Sequence, residues 1–159
     1  MDDYQVRPAV EQDLDAIVAL WKEFMKHQTG IEPRFKVRAD GGQYFRTWAA
    51  DALKSPRRTL FVAQSPSGEL VGYTLLNVAG SVPYYEPQEF GYVQDAFVLE
   101  PFRGKGIGWK LTQAALAWFK EQGLAYVMLH VLDKNERGVA FWQQVGFDGY
   151  VHNPRLELI

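Results

Sequence analysis

The stretch VQDAFVLEPFRGKGIG, residues 93–108, runs from an apolar, strand-like segment into a glycine-rich turn. Ile107, Leu111, Ala114, Ala115 and Trp118 then recur at helical spacing, so the turn opens a helix that Gly123 ends. Glycine loses more backbone freedom on folding than any other residue, so Gly104, Gly106 and Gly108 together need a reason. A strand, a glycine-rich turn and a helix N-terminus make an anion site. The first helical N–H groups lack helical partners, the macrodipole adds positive charge, and glycine lets backbone approach phosphate oxygens. The P-loop spacing G-x-x-x-x-G-K-S/T does not occur. The dinucleotide pattern G-x-G-x-x-G also fails, because its third glycine would fall on Trp109 or Leu111.

Upstream, YQVRPA reads as a short strand, followed by a helix carrying Leu14, Ile17, Val18, Trp21, Phe24 and Met25. A second helix is expected from Asp40, whose carboxylate would cap it with Gln43 reaching back. Phe45, Trp48, Ala49, Ala52 and Leu53 form its apolar face, and Pro56 closes it. TLFVAQ and LVGYTLLNVA read as strands joined by the turn SPSGE. Downstream, AYVMLHV is a buried-looking strand and NERGVAFWQQV a short helix stopped by Gly146, before a final β-rich segment. No repeat, linker or low-complexity tract interrupts the chain. Residues 1–159 therefore read as a single α/β domain with a mixed sheet.

The 159 residues suffice for one self-supporting core, and 47% apolar with 23% charged residues describes a globular chain. A net charge of −2 without a basic block argues against nucleic-acid or anionic-membrane binding. No apolar run approaches the ~20 residues that span a bilayer. The start, MDDYQVRPAV, lacks the basic and apolar regions of a secretory signal, so a cytoplasmic location is expected. The absence of cysteine removes disulfides, thiolate metal sites and a cysteinyl acyl-enzyme. His27, His130 and His152 lack metal-ligand spacing, so no metal is expected.

The pattern Arg103-x-x-Gly106-x-Gly108, with Gly104 and Lys105 between, resembles the acyl-coenzyme A pyrophosphate loop of the Gcn5-related N-acetyltransferase (GNAT) superfamily. The likeness extends upstream through VQDAFVLEPFRGKGIG, which reads as that family's fourth strand entering the loop. It extends downstream through NERGVAFWQQVGF, similar to the family pattern of asparagine, a small residue, an apolar–tyrosine pair and Gly-Phe. The element order agrees over roughly the whole chain. The resemblance implies a GNAT fold: a mostly antiparallel mixed sheet flanked by helices, with the fourth and fifth strands splayed. It also implies transfer of an acetyl group from acetyl-CoA to a primary amine, by direct attack in a ternary complex. Arg103, Gly104, Lys105, Gly106, Ile107 and Gly108 would hold the pyrophosphate. Backbone groups of Phe97, Val98 and Leu99 would bond the pantetheine arm, the Val98 N–H would polarise the thioester oxygen, and Asn135 would contact the arm from the other side.

Two residues depart from the family pattern. Gln94 stands where several relatives place a glutamate base, and an amide accepts no proton. Asp95 is ionisable and adjacent, but strand alternation turns it to the opposite face unless a bulge intervenes. Gln94 could orient a water leading to Asp95, Glu86 or Glu89; equally, Asp95 could anchor a neighbouring loop. Trp142 replaces a tyrosine that protonates the departing thiolate, and indole N–H is a donor that does not serve as a proton acid. Its ring would pack on the acyl–pantetheine arm. Gly138 replaces a small alanine. These substitutions keep open a second class of function, a non-catalytic acyl-CoA binder or sensor. On the acceptor side, Tyr84, Tyr85, Glu86 and Glu89 suit a cationic amine, small or peptidic, through ring faces and carboxylates. Trp21 and Phe24 read first as helix core, and His130 as a sheet histidine. Exposed aromatics suit a homodimer.

Overall fold

The computed structural model describes residues 3–159. Five strands, β1 (Gln5–Pro8), β2 (Arg58–Gln64), β3 (Leu70–Gly80), β4 (Glu89–Val98) and β5 (Val127–Leu129), form one sheet in sequence order. Neighbours are antiparallel except the last pair, β4 and β5, which run parallel. Four α-helices flank the sheet: α1 (Leu14–Ile31), α2 (Gly41–Lys54), α3 (Ile107–Glu121) and α4 (Glu136–Val145).

Each face is covered because strand and helix periodicities meet. Leu14, Ile17 and Leu20 of α1 and Phe45, Ala49 and Ala52 of α2 pack over Leu60, Val62, Tyr73, Leu75 and Phe97. On the opposite face, Ile107 and Leu111 of α3 meet Ala63 and Val71, while Ala115 and Phe119 meet Leu76 and Val93. Phe119 is 1% exposed. Burial of such a ring stabilises by about 1.5–3 kcal/mol. Its place depends on Gly91, where a Cβ would lie 2.7 Å from Phe119 Cδ1. The β2–β3 connection is the expected hairpin, with Ser65 N–H donating to Glu69 O (2.8 Å) and Gly68 at φ +93°.

Three local expectations are corrected. The Asp40 carboxylate does not cap α2: Arg38, two residues earlier, donates to both its oxygens at 2.9 and 3.0 Å. The strand expected from AYVMLHV shortens to Val127–Leu129. The final segment is not β-rich. Residues 147–159 contain no strand, and Leu156 and Leu158 are exposed.

Gly91→Val should lower stability by about 1–3 kcal/mol, because the added isopropyl group, beginning at its Cβ, cannot share the space of the Phe119 ring. Urea denaturation measures this, and an unchanged midpoint would show that α3 does not pack on β4 this closely.

Candidate active site

The site begins with one extra residue in β4. Leu75 pairs with Asp95 and Leu76 with Val93, so Gln94 has no partner on β3 and forms a β-bulge. Alternation reverses there. Before the bulge, Gly91 and Val93 face Phe119 of α3. After it, Phe97 faces Phe24 of α1, with ring centroids 5.4 Å apart, and Asp95 faces Tyr73. Gln94 accepts a hydrogen bond from Asn77 Nδ2 (3.3 Å), and Asn77 shares its β3 face with Leu75 and Tyr73. Gln94 and Asp95 therefore lie on one face, the condition under which Asp95 could assist at Gln94.

The bulge also ends the pairing with β5. That pairing covers Gly91 to Val93 and goes no further, leaving the edge of β4 from Gln94 to Val98 open. Leu99 N–H donates to Val71 O at 2.9 Å, so alternation turns Phe97 toward β3 and the backbone groups of Ala96 and Val98 toward the open edge. Of the three residues expected to bond the pantetheine arm, Leu99 thus has its N–H engaged with β3. Val98 O accepts from Arg103 Nε (2.8 Å), which leaves the Val98 N–H as the group aimed outward. A narrow cleft follows this open edge, lined by Gln94 and Ala96, by Phe24 and Gln28 of α1, and by Asn135 and Trp142.

At the end of β4 the glycine turn has the expected form. Gly104 and Gly106 adopt φ +77° and +80°, and no atom lies within 4 Å of a Cβ built on either. Lys110 N–H donates to Gly106 O (3.0 Å) as the first bond of α3, so the N–H groups of Ile107, Gly108 and Trp109 precede the helical ladder. Left-handed backbone, open space and leading N–H groups fit an oxyanion of pyrophosphate type. Arg103 does not point away from the protein. It is tied to Val98 O and its guanidinium lies 5.4 Å from the Phe97 ring centroid. Lys105 Nζ is turned to Tyr4, 3.4 Å from its hydroxyl.

Asn135 caps α4 by accepting from Gly138 N–H at 3.0 Å. This explains Gly138, since a Cβ there would stand 2.5 Å from Asn135 Nδ2. Trp142 packs edge-on against Phe141 and Phe147, borders the core cluster of Leu76, Val93, Ala115 and Phe119, and lines the cleft.

Asp95 is 7% exposed and accepts from the Tyr73 hydroxyl at 2.8 Å. Burial pushes its carboxyl up to about 6, opposed by that hydrogen bond. Burial, then the Asp95 charge, also raises Tyr92, whose hydroxyl lies 2.9 Å from His130 Nδ1. Neither Tyr73 nor Tyr92 is singled out by the sequence: Tyr92 lies two residues before Gln94, a period-2 signal that was available, whereas Tyr73 meets Asp95 only through pairing of β3 with β4. His130, read as a plain sheet histidine, lines the cleft. Trp21 stacks on Phe45 at 5.0 Å as core. Tyr84, Tyr85 and Glu86 sit in the exposed β3–β4 loop, and Glu89 pairs with Arg57. Glu89 is five residues along the strand from Gln94, roughly 16 Å of extended chain.

The model of the acetyltransferase (GNAT) family matches residues 16–147. The chain belongs to this family. An uncharacterized N-acetyltransferase of Archaeoglobus fulgidus is 30% identical over 139 residues, covering 87% of this chain and 88% of that one. An uncharacterized N-acetyltransferase of Methanocaldococcus jannaschii is 25% identical over 145 residues, or 91% of this chain, which spans 61% of that relative's length. Among solved structures, aminoglycoside N-acetyltransferase AAC(6')-Iy in complex with CoA has a TM-score of 0.76 at 16% identity, covering 99% of this chain and 95% of that one. This last likeness shows the fold.

Asp95 yields a pH prediction. An acid whose folded pKa is raised binds its proton more tightly folded than unfolded, so its protonation stabilises below the unfolded value of 3.8 and this is lost as pH rises through about 6. Asp95→Asn, which cannot ionise, should gain on the order of 3 kcal/mol over wild type at pH 8 and well under about 1 kcal/mol at pH 4. Urea denaturation at both pH values tests it; an equal difference at the two would contradict a raised carboxyl.

Proposed function

We propose that the protein is an acetyl-CoA-dependent N-acetyltransferase acting on a primary amine by direct attack in a ternary complex. The observation that carries this is the open edge of β4 ending in the left-handed glycine turn, which offers an arm-binding strand edge and an anion cradle in one line. Acetyl-CoA, when bound, supplies the acyl group as a thioester. Ile107, Gly108 and the glycine turn would hold its pyrophosphate, and the Val98 N–H would be the donor to the thioester oxygen. Arg103 would act by locking the turn to the strand.

A substrate amine has a pKa of about 10.4 when lysine-like, so it must lose a proton before attack. Asp95 takes that proton in this reading, directly or through a water on Gln94. With its carboxyl at about 6 it is mainly ionised at neutral pH yet basic enough to accept. Tyr73 holds the carboxylate in place. A leaving thiol of pKa about 8.5 departs as thiolate with little help, so Trp142 serves as packing along the arm. A second reading rests on the Tyr92–His130 pair: His130 borders the cleft directly and could take the proton instead.

Three measurements test the reading. Gly106→Val should abolish coenzyme binding in calorimetry on folded protein, since a branched side chain at φ +80° is strained and fills the cradle; undiminished affinity would remove the loop from the site. Initial rates against an amine panel should give intersecting lines, whereas parallel lines with a trapped acyl-enzyme would require another nucleophile. Asp95→Asn should lower turnover by about 10²-fold or more while coenzyme affinity holds. Wild-type turnover in that variant, with loss in His130→Gln, would transfer the role to His130. Binding without turnover on any amine would favour the sensor function.

A further inference from the structure

The splayed cleft has two walls that the sheet does not join. One is α1, through Phe24 and Gln28; the other is the segment after β5, through His130, Leu132 and Asn135. Residues 130–135 carry no strand pairing, so the backbone ladder does not fix the gap between the walls.

A side-chain bridge spans it. Glu32 ends α1, its N–H donating to Gln28 O at 2.9 Å. Its carboxylate is 9% exposed and accepts from Arg34 Nε (2.7 Å), Arg34 Nη2 (2.8 Å) and Arg34 N–H (3.2 Å). The remaining partner is Lys134 Nζ, 3.1 Å from Oε2, in the residue directly before Asn135. The Arg34 guanidinium, then the Lys134 ammonium, hold this carboxyl well below the usual carboxylate range. The arginine fork fixes the anion at the α1 end. Lys134, 62% exposed, is the detachable end.

We propose that Glu32 is a positioning residue that sets the width of the cleft, holding the Asn135 loop against the end of α1 through Lys134. The inference rests on the reading that this cleft takes the coenzyme arm. A pair with one partner so exposed contributes little to stability, so the bridge serves to place the loop. The residue next to Lys134 is tied into the loop on both sides: Asn135 caps α4, and its N–H donates to Leu132 O at 2.9 Å, so a displaced Lys134 would carry the cap with it.

The test is calorimetric titration of the folded full chain with acetyl-CoA. Lys134→Ala should raise Kd by about 5–20-fold through lost preorganisation, with its melting temperature close to wild type. Lys134→Arg, which still reaches Glu32, should stay within about twofold. Glu32→Gln should weaken binding as Lys134→Ala does, and the double variant should be no weaker than either single. If Glu32→Gln does not fold, Glu32→Asp takes its place with the same expectation. A lysine that touched the coenzyme directly would be released by the glutamate change, so unchanged or tighter binding there overturns the proposal. Wild-type affinity in Lys134→Ala overturns it as well. The Gly106→Val control separates the two levels: if that variant also binds normally, the coenzyme site itself is misplaced, whereas its failure to bind confines the error to Glu32.

Discussion

One unpaired residue, Gln94, governs the architecture of this site. An extra residue in one strand of an antiparallel pair bends that strand and reverses which side chains face which layer. In β4 the consequences coincide. Val93 before the bulge serves the α3 core, whereas Asp95 and Phe97 after it face the α1 and α2 core and leave Ala96 and Val98 to the α3 side. Pairing with β5 stops at Val93, directly before the bulge, so the outer edge of β4 is released. An open strand edge is ordinarily a liability, because its N–H and C=O groups invite unintended pairing. Here the edge is flanked by α1, Asn135 and Trp142, which line a narrow cleft along it.

The same bulge produces the electrostatics. It turns Asp95 inward among the core of α1 and α2, where burial disfavours its charge and Tyr73 supplies the compensating hydrogen bond. A fold optimised for stability alone would place an apolar side chain there. A carboxyl whose pKa is raised toward neutral pH at a cost in stability is the arrangement expected of a proton acceptor. The glycine turn is built differently. It uses backbone, with Gly104 and Gly106 held in left-handed conformation and Arg103 pinning the turn to Val98. The buried carboxyl and the glycine turn thus occupy opposite ends of the open edge and depend on separate devices.

Much of this was legible in the sequence, and the exceptions have physical causes. The glycine turn and the helices α1, α3 and α4 follow from local preference, because glycine spacing and 3.6-residue periodicity are properties of the chain itself. The hairpin between β2 and β3 likewise carries its own turn chemistry. The bulge was not legible: Val93, Gln94 and Asp95 alternate acceptably either way, and β3 decides the register. Gly138 looked like a mild substitution until Asn135 was seen to occupy the space of its missing methyl. Asp40 failed as a cap because Arg38 competes for its carboxylate, a two-residue effect that a capping pattern ignores. In residues 147–159, Leu156 and Leu158 alternate like a strand, but a strand needs an edge to pair with, and none meets it. The Glu32–Lys134 bridge joins positions about a hundred residues apart, beyond any local signal.

The central claim is that the released edge of β4, continued by the glycine turn, is where the coenzyme lies. Residue-resolved amide hydrogen exchange with and without acetyl-CoA tests this most directly, because the structure already divides the amides into two classes. Ala96, Val98, Ile107 and Gly108 point outward or precede the helical ladder, and their exchange should slow by about tenfold or more when acetyl-CoA saturates the protein. Leu99, already bonded to Val71, should change little beside them. Saturating acetyl-CoA that leaves Val98 and Gly108 exchanging as in the free protein, while slowing amides elsewhere, would contradict the account.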